Sequence, residues 1–189
     1  MIEVEAKFRV PRESLLIDRI TKIGGGVAWE ETLEQDEYFN HPARDFVESD
    51  EALRIRRCGP NVELTWKGPR LDAVTKSRRE LELPLESERM PADQQFTTLR
   101  EMLLALGFVP AGRVRKRRRA TSLFWSGHSF KICIDEVDGL PLHAEIETLC
   151  EEAVREQATA VLLELARELQ LQHSERRSYI HLVKLAAAS

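Results

Sequence analysis

The 189-residue sequence lacks the cysteine and histidine patterns of disulfide-rich and zinc-binding proteins. Its three cysteines, Cys58, Cys133 and Cys150, form no C-x-x-C pair. An odd number of thiols with no recognisable secretory signal predicts reduced cysteines and a cytoplasmic protein. The five histidines show no zinc-ligand spacing. The sequence therefore predicts neither a disulfide framework nor a zinc site.

The sequence also lacks long apolar runs and an excess of positive charge. No window approaches the roughly eighteen consecutive apolar residues of a membrane-spanning helix, so no contact with a membrane is predicted. The 28 Lys and Arg residues are outnumbered by 32 Asp and Glu residues, whereas nucleic-acid-binding domains are more often basic. Residues 24–26 are three glycines that trail a predicted helix, with no G-K-[S/T] motif after them, so they are not a phosphate loop. We therefore expect no nucleic-acid partner.

What the sequence has in abundance is the alternating pattern of β-strands. Predicted strands span residues 2–10, 27–40, 52–57, 62–68, 77–85, 114–125, 129–137 and 141–149. Apolar residues at helical spacing predict helices over 12–23, 91–106, 151–171 and 175–187. Most connections between strands are hairpin-like, which favours an antiparallel sheet. We predict a single α+β domain over residues 1–189, including C-terminal helices over about 151–187.

Charged residues recur with a period of two in these strands, so each strand presents them on one face. In the first strand, Glu3, Glu5 and Lys7 share a face and the apolar residues share the other. For any one strand this pattern is also that of an ordinary solvated face. However, E-x-E occurs on three predicted strands, and eight strands can close into a barrel. We therefore predict a closed eight-stranded antiparallel barrel with a polar, charged interior and helices packed outside.

The predicted lining of this tunnel contains as many acids as bases. The acids are Glu3, Glu5, Glu80, Glu82, Asp135, Glu145 and Glu147. The bases are Lys7, Arg54, Arg56, Lys67, Arg78, Lys116 and Arg118. Converging bases suit a polyanion, because guanidinium groups match phosphate oxygens two at a time. Paired carboxylates on neighbouring strands suit Mg²⁺ or Mn²⁺, so a metal–phosphate complex would satisfy both sets.

The chain resembles the CYTH superfamily, also called the triphosphate tunnel metalloenzymes, which includes class IV adenylyl cyclases and thiamine triphosphatases. The stretches that carry the resemblance follow in family order over nearly the whole chain: EVEAK, DEYF, ALRIRR, LTWKGP, SRRELEL, VRKRRR, IDEVDGL, AEIE and RSY. The resemblance implies an eight-stranded tunnel that acts on ATP or another triphosphate with Mg²⁺ or Mn²⁺. Homodimers are known in the superfamily, so the resemblance also allows a homodimer.

The same resemblance assigns roles to individual residues. Expected phosphate-binding residues are Lys7, Arg54, Arg56, Lys67, Arg78, Lys116 and Arg118. Expected metal ligands are Glu3, Glu5, Glu145 and Glu147, while Glu80, Glu82 and Asp135 bind a second metal or orient the bases. Lys7, Lys67 and Tyr38 are the expected catalytic residues. Ser178 and Tyr179 match a pair that can close one end of the tunnel.

Three functions remain open at this stage. Residues 35–57 and 64–69 look closer to the class IV cyclases, which convert ATP to cyclic AMP and pyrophosphate. The alternative is a triphosphatase that hydrolyses inorganic triphosphate, thiamine triphosphate or nucleoside triphosphates. The third is a non-catalytic polyphosphate or nucleotide sensor, which has little need for the complete set of carboxylates. The sequence does not identify residues that would read a nucleobase.

Three other features have two interpretations each. The basic run at 113–119 is either a nucleic-acid signal or an alternating strand with Lys116 and Arg118 inward, and we favour the strand. The apolar positions between Leu162 and Leu169 form either a core-facing stripe or a dimer seam. Trp66 shares a face with Leu64, which favours packing under a helix over stacking on an adenine.

Overall fold

The computed structural model describes residues 2–24, 28–71, 78–85 and 89–188. The strands are β1 (Ile2–Arg9), β2 (Glu30–Asn40), β3 (Ala52–Cys58), β4 (Asn61–Arg70), β5 (Arg78–Leu85), β6 (Val109–Trp125), β7 (His128–Val137) and β8 (His143–Cys150). The α-helices are α1 (Glu13–Gly24), α2 (Ala92–Ala105), α3 (Arg155–Glu168) and α4 (Tyr179–Ala187). No helix among these residues is long and apolar enough to cross a membrane.

The strands close into a barrel in the order β1-β5-β4-β3-β2-β6-β7-β8, and all neighbours are antiparallel. Two meanders, β2 to β5 and β6 to β8, are joined where β2 pairs with β6. β1 completes the ring, because it pairs with β8 along its whole length and meets β5 at Glu3 and Arg78. The predicted closed antiparallel barrel with outer helices is confirmed.

The largest apolar core lies outside the barrel, between the strands and the helices. It joins the outer faces of β1, β7 and β8 to α1 and α3, and Ile132, Ile146, Leu162 and Leu165 within it are fully buried. Because side chains alternate along a strand, burying the apolar residues outside turns the charged ones inward. The apolar stripe of α3 therefore faces the core.

Two smaller apolar clusters lie elsewhere on the barrel, one on its outer face and one at an end of its interior. Helix α2 contributes Phe96, Leu99 and Leu103 to a cluster with β3 and β4, and Trp66 packs against this cluster from the barrel wall. Helix α4 contributes Tyr179 and Leu182 to a cluster with β6 and β7. Trp66 thus packs under a helix, as its alternation with the charged residues predicts.

Several element boundaries differ from the sequence-based expectation. Strand β6 begins at Val109 instead of residue 114, and Pro110 and Gly112 hide this start from the strand pattern. Gly112 has a φ of 143°, and a Cβ atom there would lie 2.5 Å from Ile180 Cδ1, so α4 packs on a position that needs glycine. Helix α4 begins at Tyr179 because the Ser178 side chain accepts from the His181 N–H.

The other shifts are small. Strand β2 begins at Glu30, and the predicted glycine terminus of α1 at residues 25 and 26 lies outside the described residues. A short 3₁₀ turn, Glu152–Val154, replaces the predicted first turn of α3, which ends at Glu168. These differences leave every predicted strand and helix in place.

Leu162→Ala tests the outer core. Leu162 is fully buried between α3 and the barrel, so we expect its truncation to lower the free energy of unfolding by about 2–5 kcal/mol. Urea denaturation measures this change. The matched control is Leu33→Ala on the outer face of β2, where the side chain is 56% exposed, with an expected change under about 0.5 kcal/mol. Equal losses in both variants would contradict the proposed position of the core.

Candidate active site in the barrel tunnel

The barrel encloses a charged cavity of about 160 Å³. Its lining residues are Glu3, Glu5, Lys7, Tyr38, Ala52, Arg54, Arg56, Lys67, Arg78, Glu82, Lys116, Arg118, Lys131, Glu145, Glu147, Ser178 and Tyr179. All of the predicted lining residues are in this set except Glu80 and Asp135. The structure thus brings the seven predicted bases and five of the seven predicted acids to one cavity.

Glu80 and Asp135 lie behind the lining as counter-ions of its bases. Lys67 Nζ donates to Glu80 Oε1 at 2.6 Å. The fully buried Asp135 accepts from Arg118 through two bonds of 2.7 Å and lies 3.4 Å from Lys116 Nζ. These contacts favour the base-orienting role for both carboxylates over the alternative of a second metal site.

Arg118 is the most heavily paired base of the tunnel. Besides Asp135 it contacts Glu145, and its Nη1 lies 3.3 Å from Glu147 Oε1. Burial alone would lower the pKa of Arg118, but the charges of Asp135 and Glu147 outweigh it and raise the pKa. Its guanidinium is thus a permanent charge, fixed by carboxylates from β7 and β8.

Arg54 and Arg56 depend on acids of β2. Arg56 donates two bonds of 2.7 and 2.8 Å to Asp36, and its Nη1 lies 2.8 Å from Glu34. Arg54 Nη1 lies 3.7 Å from the same Asp36. Burial would raise the pKa of Asp36, but Arg54 and Arg56 hold it well below its ordinary value. Asp36 is therefore a carboxylate at every pH where the protein would work.

The first residue of helix α4, Tyr179, lines one end of the tunnel. The Tyr179 hydroxyl donates to Asp135 Oδ2 at 2.8 Å. The ammonium groups of Lys7 and Lys116 lie 3.8 Å and 5.2 Å from the centroid of its ring, within the range of cation–π attraction. Burial, followed by the charges of Glu145 and Asp135, raises the pKa of Tyr179 well above its ordinary value. The neutral phenol thus orders two phosphate-binding candidates and their counter-ion.

Carboxylates converge at another part of the wall, on β1 and β8. Glu5 and Glu147 are direct cross-strand partners, an arrangement that is unfavourable for two like charges unless a cation lies nearby. Glu3 lies on the same face of β1, two residues before Glu5. Burial raises the pKa of Glu3 well above its ordinary value; Lys67 opposes this shift and Glu147 adds to it. We call Glu3, Glu5 and Glu147 the acidic corner.

This tunnel architecture agrees with a known domain family. The sequence profile of the CYTH domain matches residues 1–179. The chain belongs to the CYTH domain family. Its match covers every strand of the barrel and the segment that brings Tyr179 to the tunnel end.

Individual CYTH relatives cover nearly the whole chain. A protein of Methanocaldococcus jannaschii named "putative adenylate cyclase" is 30% identical over 185 residues, which are 96% of this chain and 98% of that protein. The PH1819 protein of Pyrococcus horikoshii has a solved structure that is 32% identical, with a TM-score of 0.80 over 97% of this chain and 98% of that chain.

Another solved structure, of lower sequence identity, shares the fold. It is a Hippeastrum protein described as a "putative adenylyl cyclase" that reveals a dominant triphosphatase activity. Its structure is 19% identical, with a TM-score of 0.62 over 97% of this chain and 95% of that chain.

The acidic corner fits a divalent metal that binds together with its substrate. Among the described residues, no three carboxylate, imidazole or thiol groups form a ready-made metal cage. Mg²⁺ needs no such cage, because it is usually held by one or two carboxylates and by substrate phosphates. The facing pair Glu5 and Glu147, with Glu3 beside it, supplies oxygen ligands of this kind. Glu145 and Glu147 both also contact Arg118, and the expected role of Glu145 as a metal ligand stays a prediction.

Tyr38 lines the tunnel of this CYTH protein but is poorly suited to act as a base. Burial, together with the charge of Asp36, raises the pKa of Tyr38 to about 12. Its phenol therefore keeps its proton at neutral pH, so it can donate or accept a hydrogen bond but is not a base. The expected catalytic role of Tyr38 stays a prediction, and it excludes general-base catalysis at neutral pH.

The sequence analysis misses Glu34 and does not give Asp36 its role as a counter-ion. Both lie on the inner face of β2 in alternation with Tyr38, and this pattern was the available signal. It is obscured by Glu37 on the outer face, which is buried under Arg100 of α2 at 3.0 Å and Arg113 at 3.3 Å.

The basic run on β6 divides between the two faces of the barrel wall. Lys116 and Arg118 line the tunnel. Arg117 and Arg119 point outward, where they pair with Glu136 and Glu13. The alternation of the run between the two faces of the wall confirms that it is a strand.

Asp36→Asn tests whether the counter-ions hold the tunnel together. We expect the free energy of unfolding at pH 7 to fall by about 3 kcal/mol, because Arg54 and Arg56 lose a buried partner. The pKa of Asp36 is lower in the folded protein than in the unfolded chain, where it is about 3.9. The contribution of Asp36 to the free energy of unfolding is therefore complete above that unfolded pKa, and it is lost as the pH falls through the folded pKa. The deficit of the variant should thus be constant from about pH 7 to 5 and narrow below about pH 4.

Urea denaturation of both proteins at each pH measures this deficit. The matched control is Asp18→Asn, at an exposed carboxylate of α1, which should change stability by less than about 0.5 kcal/mol. A deficit for Asp36→Asn that widens on acidification, or that equals the control, would show that Asp36 is not a stabilising counter-ion.

Proposed function

We propose that this CYTH protein is a metal-dependent enzyme that acts on triphosphates held in the barrel tunnel. The observation that carries the proposal is the convergence of the seven predicted bases on one cavity whose wall also holds the facing carboxylates of Glu5 and Glu147. Arg54, Arg56 and Arg118 are already fixed by counter-ions, so they can meet phosphate oxygens without rearrangement. A simple anion-binding protein would gain nothing from the facing carboxylates of Glu5 and Glu147.

The first candidate reaction is the conversion of ATP to cyclic AMP and pyrophosphate. The ribose 3′-oxygen attacks the α-phosphorus, the bond from this phosphorus to the bridging oxygen of the β-phosphate breaks, and the hydroxyl proton is released to water. Lys7, Lys67 and the arginines stabilise the charge on the departing pyrophosphate. The relative of M. jannaschii named for this activity supports this candidate.

The acidic corner would hold Mg²⁺ or Mn²⁺ in either candidate reaction. A metal ion bound there supplies Lewis acidity to phosphate oxygens and lowers the pKa of an attacking hydroxyl or water. Glu3, Glu5 and Glu147 would bind and orient it, while the bases hold the phosphates. The same arrangement of metal ligands and bases could therefore support attack by a ribose hydroxyl or by water.

The second candidate is hydrolysis of the terminal phosphate of a triphosphate. Water attacks the terminal phosphorus, the bridging bond breaks, and orthophosphate leaves with the proton balance taken up by water. The dominant triphosphatase activity of the Hippeastrum protein, which has the same fold, favours this candidate. The position of the attacking oxygen and the register of the phosphates distinguish the two reactions.

Product analysis separates the candidates. The purified protein is incubated with ATP and Mg²⁺ or Mn²⁺, and products are resolved by phosphorus NMR and chromatography. We expect cyclic AMP and pyrophosphate, and ADP with orthophosphate would establish the triphosphatase. The absence of any product from ATP, inorganic triphosphate and thiamine triphosphate, with binding intact, would contradict the proposal and favour a sensor.

Glu5→Gln provides the matched variant for this experiment. We expect turnover to fall more than about tenfold. Mutation of a residue that only hydrogen-bonds to a metal ligand already lowers metal affinity or activity by about ten- to a hundredfold. Binding of the triphosphate without metal should be unchanged or tighter, because a negative charge is removed. The control is Glu31→Gln, at an exposed position of β2, which should keep full turnover. A Glu5→Gln protein with normal metal-dependent turnover would contradict the metal site.

A further inference from the structure

The position of Tyr179 in the tunnel directs attention to the opposite end as the place for the rest of a substrate. Tyr179 and Ser178 line one end of the cavity, and Tyr179 packs beside Val114 of β6. Phe124 lies ten residues further along the same strand, a distance of roughly 30 Å at the usual rise of a strand. The Phe124 end lies opposite the end that Tyr179 lines, so we consider it the exit for a group attached to a bound triphosphate.

Two exposed apolar side chains lie on the tunnel face at that end. Phe124 is 71% exposed and Leu149 is 62% exposed. Their chain neighbours Leu123 and Thr148 are buried on the outer side of the wall. Because successive side chains point to opposite faces, Phe124 and Leu149 lie on the same face as Arg118 and Glu147.

The strand register brings these two residues into one row. Phe124 is paired with Ser129 across β6 and β7, and Leu149 is paired with Glu3 across β8 and β1. The Thr148 hydroxyl donates to the Ser129 carbonyl at 2.9 Å, which holds β7 and β8 together at this level. A small side chain, Ser129, thus lies between two large apolar ones.

The same row adjoins the charged part of the tunnel. One step deeper, Lys131 lies between Ser122 and Glu147, and Lys131 and Glu147 line the cavity. A step of two residues is about 7 Å along a strand. A ring over Ser129 would therefore lie next to the first cation and the acidic corner.

We infer that Phe124 and Leu149, on either side of Ser129, seat a flat ring carried by an organic triphosphate, such as the base of a nucleotide. The inference rests on the proposed function and narrows its substrate class from any triphosphate to one with a ring. The ring stacks on Phe124 and packs against Leu149, while Lys131 faces the first phosphate. Ring stacking of this kind tolerates different bases, so it selects for a ring without reading its edge.

The test compares ATP with inorganic triphosphate, which has no ring. The ratio kcat/KM is measured for both substrates in the wild type, Phe124→Ala, Leu149→Ala and Phe124→Trp. We expect Phe124→Ala to lower kcat/KM for ATP by about fivefold to a hundredfold, the range seen for loss of one base–aromatic stack. Leu149→Ala should lower it less, Phe124→Trp should preserve it, and inorganic triphosphate should be unaffected. The control is Leu33→Ala on the outer face of β2, which should change neither substrate.

Equal losses on both substrates, or no loss on ATP, would overturn the ring seat while leaving the proposed function intact. If the wild type turns over no triphosphate, the proposed function fails, and calorimetric titration with each ligand in the absence of metal then decides the inference. Weaker binding of ATP alone in Phe124→Ala supports the seat. Unchanged affinities for both ligands overturn it.

Discussion

The pairing of charges inside the barrel is the interaction on which the rest of this structure depends. Arg118, Arg56 and Lys67 would be unfavourable in an enclosed space without Asp135, Asp36 and Glu80. Because those acids come from neighbouring strands, each pair also ties the wall together. With the charged faces turned inward, the apolar faces of the strands must be covered by helices outside. The main apolar core therefore lies outside the barrel and not within it.

The same pairing prepares the tunnel for an anion. Bases that are fixed by counter-ions present their remaining N–H groups in set positions, so under the proposed function a triphosphate would meet an arrangement that is already formed. The net charge of the chain is −4. The electrostatic potential inside the tunnel depends instead on which of its acids are paired with bases. Glu5 and Glu147 face each other across β1 and β8, whereas Arg54 and Arg56 of β3 contact Asp36 of β2, and the proposed function rests on this arrangement.

Sequence alternation was sufficient to predict the inward faces because it is a property of single strands. Glu3, Glu5 and Lys7 could be placed on one face without knowing their neighbours. The counter-ion roles could not be predicted in this way, because the contact of Asp36 with Arg56 exists only through the register of β2 against β3. The start of β6 could not be predicted for a related reason. Gly112 is required there by the close packing of Ile180 from α4, which the residue pattern of a single strand does not show.

A crystal structure with inorganic triphosphate and Mn²⁺ tests the central claim most directly, because anomalous scattering locates the metal independently of the phosphates. We predict the phosphates inside the barrel against Arg54, Arg56 and Arg118, and the Mn²⁺ between the phosphates and the acidic corner. Triphosphate bound on the outer surface, or Mn²⁺ bound away from Glu3, Glu5 and Glu147, would contradict the account.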